Sequence, residues 1–261
     1  NLKPNSHILT TPLTCLATNA AIVNNGHIPI WVDIDKKSLN VDLDDLEIKI
    51  TDKTKAIVAV HFAGNPIDLD RLYKIGKKYN LSIIEDCAHS LGSLWNSERL
   101  GTFGNDAVFS FQAVKPLTTV DGGLMITSDH ERARKLRWYG IDRNDRNVPV
   151  DEIGFKYHMN DVNASIGLAN FPYLYPIIKQ QKINGNEYTN KLNGINSQEV
   201  LESAEHAYYL YPILVDRRND FIKMMKDKGI EAGQYHTRND LHPCFEDFRL
   251  ELPHLDEIHE K

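Results

Sequence analysis

The first two thirds of the 261-residue chain alternates short apolar runs with longer amphipathic ones. The apolar runs are rich in Ile and Val and are bounded by polar or glycine-containing segments, which is typical of buried strands. Strands that alternate with helices predict an α/β fold with a mostly parallel sheet. The predicted strands are residues 7–12, 28–34, 55–62, 81–87, 107–111 and 122–128.

Amphipathic helices are predicted between some of these strands. Residues 69–79 place Leu69, Leu72 and Gly76 on one helical face, and Asp68 precedes them as a predicted N-cap. Two further helical stretches end at a glycine, a common stop signal. They are residues 15–25, before Gly26, and residues 130–139, before Gly140.

The pattern changes beyond about residue 160. A longer helical tract, interrupted by two prolines, is followed by a predicted strand at residues 207–215 and a predicted helix at residues 220–229. This change predicts two domains, a large one of residues 1–172 and a smaller α+β one of residues 173–261.

Composition narrows the class of protein. With 41% hydrophobic and 25% charged residues, the chain is an ordinary globular protein rather than a disordered or fibrous one. Its 30 basic and 36 acidic residues give no basic excess, so no nucleic-acid partner is predicted. No apolar run approaches the ~18 residues of a membrane span. The three cysteines form no CxxC pair, which favours a reducing, cytoplasmic location.

Polar residues follow two of the predicted strands, where ligands bind in sheets of this kind. Asp86 and His89 come after one strand, and Ser110 and Lys115 come after another. The chain contains no glycine-rich nucleotide motif, no nucleophile elbow and no clustered cysteine or histidine motif, so no metal site is predicted.

Asp86 and Lys115 have two interpretations from the residues alone. A carboxylate at the end of a buried strand needs a cation, and a lysine near a buried site can act as an amine nucleophile. That pairing is the one that pyridoxal phosphate (PLP) chemistry requires. The spacing alone favours the alternative, in which Asp86 caps the next helix and Lys115 is a solvated loop lysine, because short motifs are prone to false positives.

A longer series of motifs resembles the PLP-dependent aminotransferases of the DegT/DnrJ/StrS type, which transaminate nucleotide-linked keto-sugars. The resemblance covers most of the chain and implies a mostly parallel sheet of the seven-stranded type sandwiched by helices, plus an incomplete small domain. The motifs, in order, are TTPLTCLATNAAI, PIWVDIDKKSLNVD, KTKAIVAVHFAGNPIDLDRL, IIEDCAHSLGS, LGTFGNDAVFSFQAVK, DGGLMIT and GFKYHMNDVNASIG.

The resemblance implies a cofactor role for four residues. Lys115 corresponds to the lysine that forms a Schiff base with PLP and later moves a proton. Asp86 corresponds to the carboxylate that pairs with the pyridine nitrogen. His89, where many relatives carry Gln, is expected beside the ring, and Ser110 is expected to donate to the phosphate.

Three other positions depart from the family pattern. Lys156 stands where many relatives place an Asn that reaches the cofactor phosphate of the partner subunit, which implies a homodimer with a shared active site. Cys15 stands where several relatives stack an aromatic ring on the cofactor. His158 replaces a commonly basic Arg, which implies altered substrate contacts.

A polar loop late in the chain resembles the loop that faces the sugar nucleotide in relatives. It carries His236, Arg238 and His242, and an ordinary exposed loop is the alternative interpretation. The tyrosines at positions 208, 209 and 211 are interpreted as packing of the small domain rather than as substrate contacts.

The sequence therefore predicts a PLP aminotransferase that uses glutamate to aminate a nucleotide-linked keto-deoxysugar, for surface polysaccharide or a glycosylated metabolite. Two alternatives stay open: a PLP-dependent sugar dehydratase relative, and a non-catalytic regulatory member of the fold. The retained Lys115 and the three scattered cysteines oppose the first, and the intact Lys115, Asp86 and Ser110 oppose the second. The resemblance also implies that relatives extend beyond both ends of these residues.

Overall fold

The computed structural model describes residues 2–145, 147 and 149–261. Its strands are β1 (His7–Thr10), β2 (Ile28–Trp31), β3 (Thr54–Val60), β4 (Ser82–Asp86), β5 (Leu94–Trp95), β6 (Glu98–Arg99), β7 (Asp106–Ser110), β8 (Gly123–Ile126), β9 (Asn196–Ser197), β10 (Ala204–Glu205) and β11 (Ile213–Leu214). Its α-helices are α1 (Leu16–Asn24), α2 (Leu43–Ile48), α3 (Leu69–Tyr79), α4 (His130–Leu136), α5 (Asp161–Asn170), α6 (Leu174–Lys191), α7 (Arg218–Asp227) and α8 (Pro253–Ile258).

The central sheet has the strand order β2-β1-β3-β4-β7-β8. All neighbouring strands are parallel except β7 and β8, which are antiparallel. The predicted α/β class and the mostly parallel sheet are therefore confirmed, and each of the predicted strands of this sheet begins within one residue of its expected start. The sheet contains six strands within the described residues, compared with the seven-stranded type of the family.

The two faces of the sheet are covered by different helices, because successive side chains of a strand point to opposite faces. On one face Leu9 and Ile57 belong to a cluster with Leu72 and Ile75 of α3. The opposite face packs against α1 and contributes a smaller cluster, made of Ile8, Ile22, Ala56 and Val58. The larger cluster anchors the strands whose ends carry the polar residues.

Helix α3 forms as its pattern predicts. The Asp68 side chain accepts a hydrogen bond from the backbone N–H of Arg71 at 3.0 Å and caps the helix. Asn80 ends it in the left-handed conformation, at φ 52°. Among the described residues, no helix is long and apolar enough to cross a membrane.

The predicted strand at residues 207–215 is wrong for most of its length, since only Ile213–Leu214 forms a strand. The N–H groups that a strand would use are bonded elsewhere. Ala207 donates to the Ser93 hydroxyl at 3.1 Å, and Leu210 donates to the Ala63 carbonyl at 3.2 Å. This segment is therefore an irregular connection that runs past the end of the sheet.

The C-terminal residues pack against the sheet. Phe245, Leu252 and Leu255 share a buried cluster with Trp31 and Ile34. That packing holds the preceding loop, residues 234–242, over the carboxyl ends of the strands. The division into residues 1–172 and 173–261 stays a prediction.

Candidate active site

A cavity of about 700 Å³ runs along the sheet face beside α1 and reaches the carboxyl ends of β4 and β7. Five of the residues predicted to hold the cofactor line it, together with one residue predicted to contact substrate. They are Cys15, Asp86, His89, Ser110, Lys115 and His236. The polar residues that end two parallel strands thus meet where the topology places them.

Asp86 is the last residue of β4 and is 9% exposed. Its Oδ2 accepts a hydrogen bond from the Thr18 hydroxyl at 2.7 Å, and its Oδ1 accepts one from the Ala88 N–H at 3.0 Å. Both oxygens are therefore held in place, and the carboxylate faces the cavity with a fixed orientation.

Lys115 lies in the loop between β7 and β8, where its backbone N–H donates to the Gln112 carbonyl at 2.9 Å. Burial lowers the pKa of its amine, although the negative charge of Asp86 opposes that shift. The Nζ atom lies 4.2 Å from the centroid of the Tyr209 ring. A lysine with a lowered pKa has more of the neutral amine that attacks a carbonyl.

His89 lies in the turn after β4 and is 6% exposed. Its ring stacks on Tyr209, with centroids 4.6 Å apart, and lies parallel to His236 at 5.5 Å. Burial, followed by the charge of Lys115, lowers the pKa of His89 to about 3. Its Nδ1 is buried without a hydrogen-bond partner among the described residues. This buried Nδ1 of the neutral ring is therefore available to pair with a bound group.

The position of His89 depends on the lack of a side chain at Gly64. At φ +97°, a side chain there would be strained, and a Cβ atom would lie 2.7 Å from the backbone oxygen of His89. The loop after β3 therefore approaches the turn after β4 closely.

Sequence reasoning missed two tyrosines at the site: Tyr235 lines the cavity, and Tyr209 packs against residues that line it. Tyr209 contacts Lys115 and His89, and its hydroxyl lies 2.5 Å from the hydroxyl of Tyr235. Burial, and then this hydrogen bond, raise the pKa of Tyr209. The interpretation of Tyr209 as domain packing is therefore wrong, because its ring lies against the predicted catalytic lysine.

His236 faces the cavity, and burial together with Lys115 lowers its pKa to about 4. Its Nε2 is buried without a partner among the described residues. Arg238 and His242, two neighbouring residues that were also predicted to contact the substrate, do not line the cavity.

Arg238 does not line the cavity. It is 4% exposed, and its guanidinium forms a two-pronged pair with Asp240 and a further bond with Asp256. The expected substrate contact by Arg238 is contradicted by this geometry, because its donors are committed to carboxylates of its own chain. His242 precedes a short 3₁₀ helix and also lies outside the cavity wall.

Lys156 and His158 are not part of the cavity. They lie with Arg143 around Trp138, in a group that we call the outer cation cluster. The Lys156 Nζ lies 3.9 Å from the Trp138 ring centroid and 2.9 Å from Nδ1 of His158. Burial, followed by the nearby cations, lowers the pKa of His158. In this chain Lys156 therefore does not reach the site that contains Lys115.

One group of possible metal ligands lies beneath Asp86. Atoms of His61, Glu85 and Cys87 lie within 4.8 Å of one another. They already serve a hydrogen-bonded core: His61 contacts Glu85 at 3.2 Å and accepts from the N–H of Ile67, and Tyr73 donates to Glu85 at 2.7 Å. With these bonds in place, the cluster stabilises the buried carboxylate.

The cavity fits the cofactor that the motifs imply. A buried carboxylate, a lysine with a lowered pKa and an unpartnered imidazole nitrogen face the same space. The Ser110 hydroxyl, at the end of β7, lies in the wall, and its one hydrogen bond with another described residue is accepted from the N–H of Gln112, at 3.3 Å. The hydroxyl proton of Ser110 is thus available to a phosphate oxygen.

Comparisons with solved structures support this assignment. The chain is similar to AtS13 from Actinomadura melliaura, with 41% identity, a TM-score of 0.95, and coverage of 98% of this chain and 73% of that one. It is also similar to the sugar aminotransferase CalS13 from Micromonospora echinospora, with 36% identity, a TM-score of 0.94, and coverage of 98% and 74%.

The similarity extends to an archaeal sequence and to a family model. An uncharacterized protein of Methanocaldococcus jannaschii is 35% identical over 94% of this chain and 69% of its own length. The model of the DegT/DnrJ/EryC1/StrS aminotransferase family matches residues 1–261. The chain thus belongs to the DegT/DnrJ/EryC1/StrS aminotransferase family and is a PLP-dependent aminotransferase.

Proposed function

We propose that this enzyme transfers an amino group from glutamate to a keto-deoxysugar attached to a nucleotide. The observation that carries the proposal is the meeting of Lys115 and Asp86 in one cavity, with the pKa of the lysine lowered. The similarity to a structure described as a sugar aminotransferase supports a sugar as the acceptor.

Lys115 and Asp86 have separate tasks in this proposal. PLP, when bound, supplies a ring that accepts the negative charge developing at the carbon next to the transferred amine. Asp86 stabilises a proton on the ring nitrogen, because its fixed carboxylate is the anionic partner in the cavity wall. Lys115 Nζ takes the proton from the substrate carbon and returns it, which its lowered pKa favours.

Three further residues hold the cofactor. The unpartnered Nδ1 of His89 would pair with a polar group of the cofactor, and the Ser110 hydroxyl would donate to its phosphate. Cys15, the N-cap of α1, contributes a small side chain to the wall where several relatives are expected to stack an aromatic ring. The small side chain leaves more room on that side of the cofactor.

A second copy of this chain completes the site in our proposal. Lys156 lies between Phe155 and Tyr157 on an exposed surface, and those two rings stack at 4.9 Å. Tyr157 and Val162 are 75% and 70% exposed, which is unusual for apolar side chains unless a partner covers them. Among the described residues, no carboxylate lies within ion-pair distance of Lys156, so its charge is free for a partner's phosphate.

The acceptor binds on the side of the cavity that the loop of residues 234–242 covers. His236 and Tyr235 face that space, and we propose that His236 contacts the sugar. We also propose that His242, and the partner's His158, contact the nucleotide part of the acceptor at the edge of the site. The product would be an amino sugar nucleotide, used in the cytoplasm for surface polysaccharide or for a glycosylated metabolite.

Two spectral half-reactions test the proposal. Glutamate added to the PLP-loaded enzyme should bleach the visible band and yield pyridoxamine phosphate, and a nucleotide-linked keto-sugar should then restore the band. A panel that varies the nucleotide and the keto position identifies the acceptor. Bleaching by a different amino acid alone would contradict glutamate, and restoration only by free keto acids would contradict the sugar. A dehydratase would release water from the sugar with no net amino transfer.

A further inference from the structure

Thr18 of α1 contacts the proposed ring-nitrogen partner directly. Its hydroxyl donates to Oδ2 of Asp86 at 2.7 Å, although the two residues are 68 positions apart in the sequence. A hydroxyl has one proton, so the bond to Asp86 uses the whole donor capacity of Thr18. A hydrogen bond to a charged acceptor is about twice as strong as one between neutral groups.

The surroundings of Thr18 direct its proton toward Asp86. In helices, Thr side chains often donate to the carbonyl of the residue four positions earlier. Here that carbonyl belongs to Thr14 and accepts the side-chain amide of Asn239 at 2.9 Å. The Thr14 hydroxyl lies 3.1 Å from the Thr18 hydroxyl and is the donor in that contact, because the Thr18 proton is already used.

The helix that carries Thr18 is itself held in place. Asn19 is fully buried and donates to the Thr11 carbonyl and to the side chain of Asn239, at 2.9 and 2.8 Å. Thr10 donates to Asn19 at 2.9 Å. Thr18 therefore projects from a rigid turn, and the loop that covers the cavity contributes to that rigidity through Asn239.

We propose that Thr18 is a positioning residue that fixes the rotamer of Asp86 toward the ring nitrogen of the cofactor, with Thr14 orienting the Thr18 hydroxyl. This inference rests on the proposed role of Asp86. The Ala88 N–H restrains only Oδ1, so without Thr18 the carboxylate can rotate about its Cβ–Cγ bond. The ring nitrogen would then lose its anionic partner for part of the time.

A variant series with the full-length enzyme tests this inference. Thr18→Val keeps the shape and removes the hydroxyl, and we expect kcat to fall about 10- to 100-fold and PLP to bind about 10-fold more weakly. Thr18→Ser keeps the hydroxyl and should stay within about threefold of wild type on both measures. Thr14→Val should have a smaller effect than Thr18→Val, because the bond to Asp86 survives.

A spectroscopic readout separates positioning from a structural role. In Thr18→Val, the pH midpoint of the visible absorbance of the bound cofactor should rise by about half a unit or more, because a ring nitrogen without its proton no longer repels the proton near Lys115. The matched control is Thr54→Val, which removes a buried hydroxyl at the start of β3 that accepts from the N–H of Thr51 and belongs to neither the Asp86 nor the Asn19 network. It should lower the melting temperature and leave the midpoint unchanged.

The double variant decides whether Thr18 acts through Asp86. In an Asp86→Asn background, Thr18→Val should change kcat by less than about twofold. The inference is overturned if Thr18→Val has the same effect in both backgrounds, or if it behaves as wild type while Asp86→Asn is impaired. If Asp86→Asn itself keeps full activity, the proposed role of Asp86 fails, and the inference fails with it.

Discussion

Lys115 and Lys156 lie in opposite surroundings. Lys115 lies in the cavity at the end of the sheet, between a carboxylate and an aromatic ring, and burial lowers its pKa. Lys156 belongs to the outer cation cluster, on an exposed surface beside Trp138. The contrast supports the proposed roles, in which Lys115 reacts and Lys156 attracts an anion.

The same contrast bears on our proposal that a second copy of the chain completes the site. The cavity contains groups for the cofactor ring and one hydroxyl for its phosphate. The cation expected to reach that phosphate lies outside the cavity of its own chain, next to apolar side chains that a partner would cover. A shared site in a dimer reconciles the two locations.

The largest expected effect comes from removing the reactive cation. Lys115→Ala should lower the rate of transamination by about four orders of magnitude, because it removes both the nucleophile and the proton carrier. Steady-state kinetics with saturating PLP measures this effect. Lys74→Ala, which removes an exposed lysine on α3, is the matched control and should retain wild-type kinetics. A Lys115→Ala enzyme within tenfold of wild type would rule out the assignment.

Mixed dimers test whether the outer cation serves the partner. Lys115→Ala and Lys156→Glu should each be impaired alone, the second through weaker PLP binding. When the two are unfolded and refolded together, about half of the dimers are mixed and each contains one intact site, so about a quarter of wild-type activity should return. If mixing restores nothing although mixed dimers form, Lys156 does not act across the interface.

The pH dependence of chemical modification at Lys115 tests whether burial lowers the pKa of its amine. In PLP-free enzyme, the pH midpoint for its modification by an amine-specific reagent should lie below the ordinary lysine value of 10.5. Asp86 opposes this shift, so Asp86→Asn should lower the midpoint further. Peptide mapping by mass spectrometry measures the extent of modification at Lys115 at each pH. A midpoint at or above 10.5 would contradict the arrangement of these groups.

The smallest expected effect is on the pH dependence of the free energy of unfolding, through His89. The pKa of His89 is about 3 in the folded protein, against 6.5 for a free histidine. Between these values the unfolded chain binds more protons, so this residue makes stability rise with pH in that window. His89→Gln should reduce the slope of the unfolding free energy against pH by up to about 1.4 kcal/mol per unit.

Denaturant titrations from pH 4 to 6 measure that slope. Gln180→Ala removes an exposed side chain that does not titrate, and it should leave the slope unchanged. Equal slopes for wild type and His89→Gln would show that His89 is accessible to protons in the folded enzyme.

The parts that sequence reasoning predicted well depend on local pattern and on topology. Ile83 and Ile84 mark β4 as a buried strand, and the rule that ligands bind beyond parallel strand ends then brings Asp86 and Lys115 together. The spacing of apolar residues in α3 and its Asp68 cap likewise predict that helix correctly.

The parts that it missed depend on contacts between distant segments. Tyr209 lies in a continuous apolar run that resembles a buried strand, and only the bonds of Ala207 and Leu210 to other loops show why this segment does not form one. Arg238 looks like a free loop cation, and its pairing with Asp256 requires the folded C-terminal segment. For Thr18, the spacing of four residues from Thr14 was the available signal.

The most direct test of the account is covalent trapping at the reactive lysine. The PLP-loaded enzyme is reduced with borohydride, digested and analysed by mass spectrometry. The account predicts that the phosphopyridoxyl mass is found on the peptide that contains Lys115, and that Lys115→Ala abolishes it. Labelling of a different lysine, or no labelling of an enzyme that transaminates, would contradict the central claim.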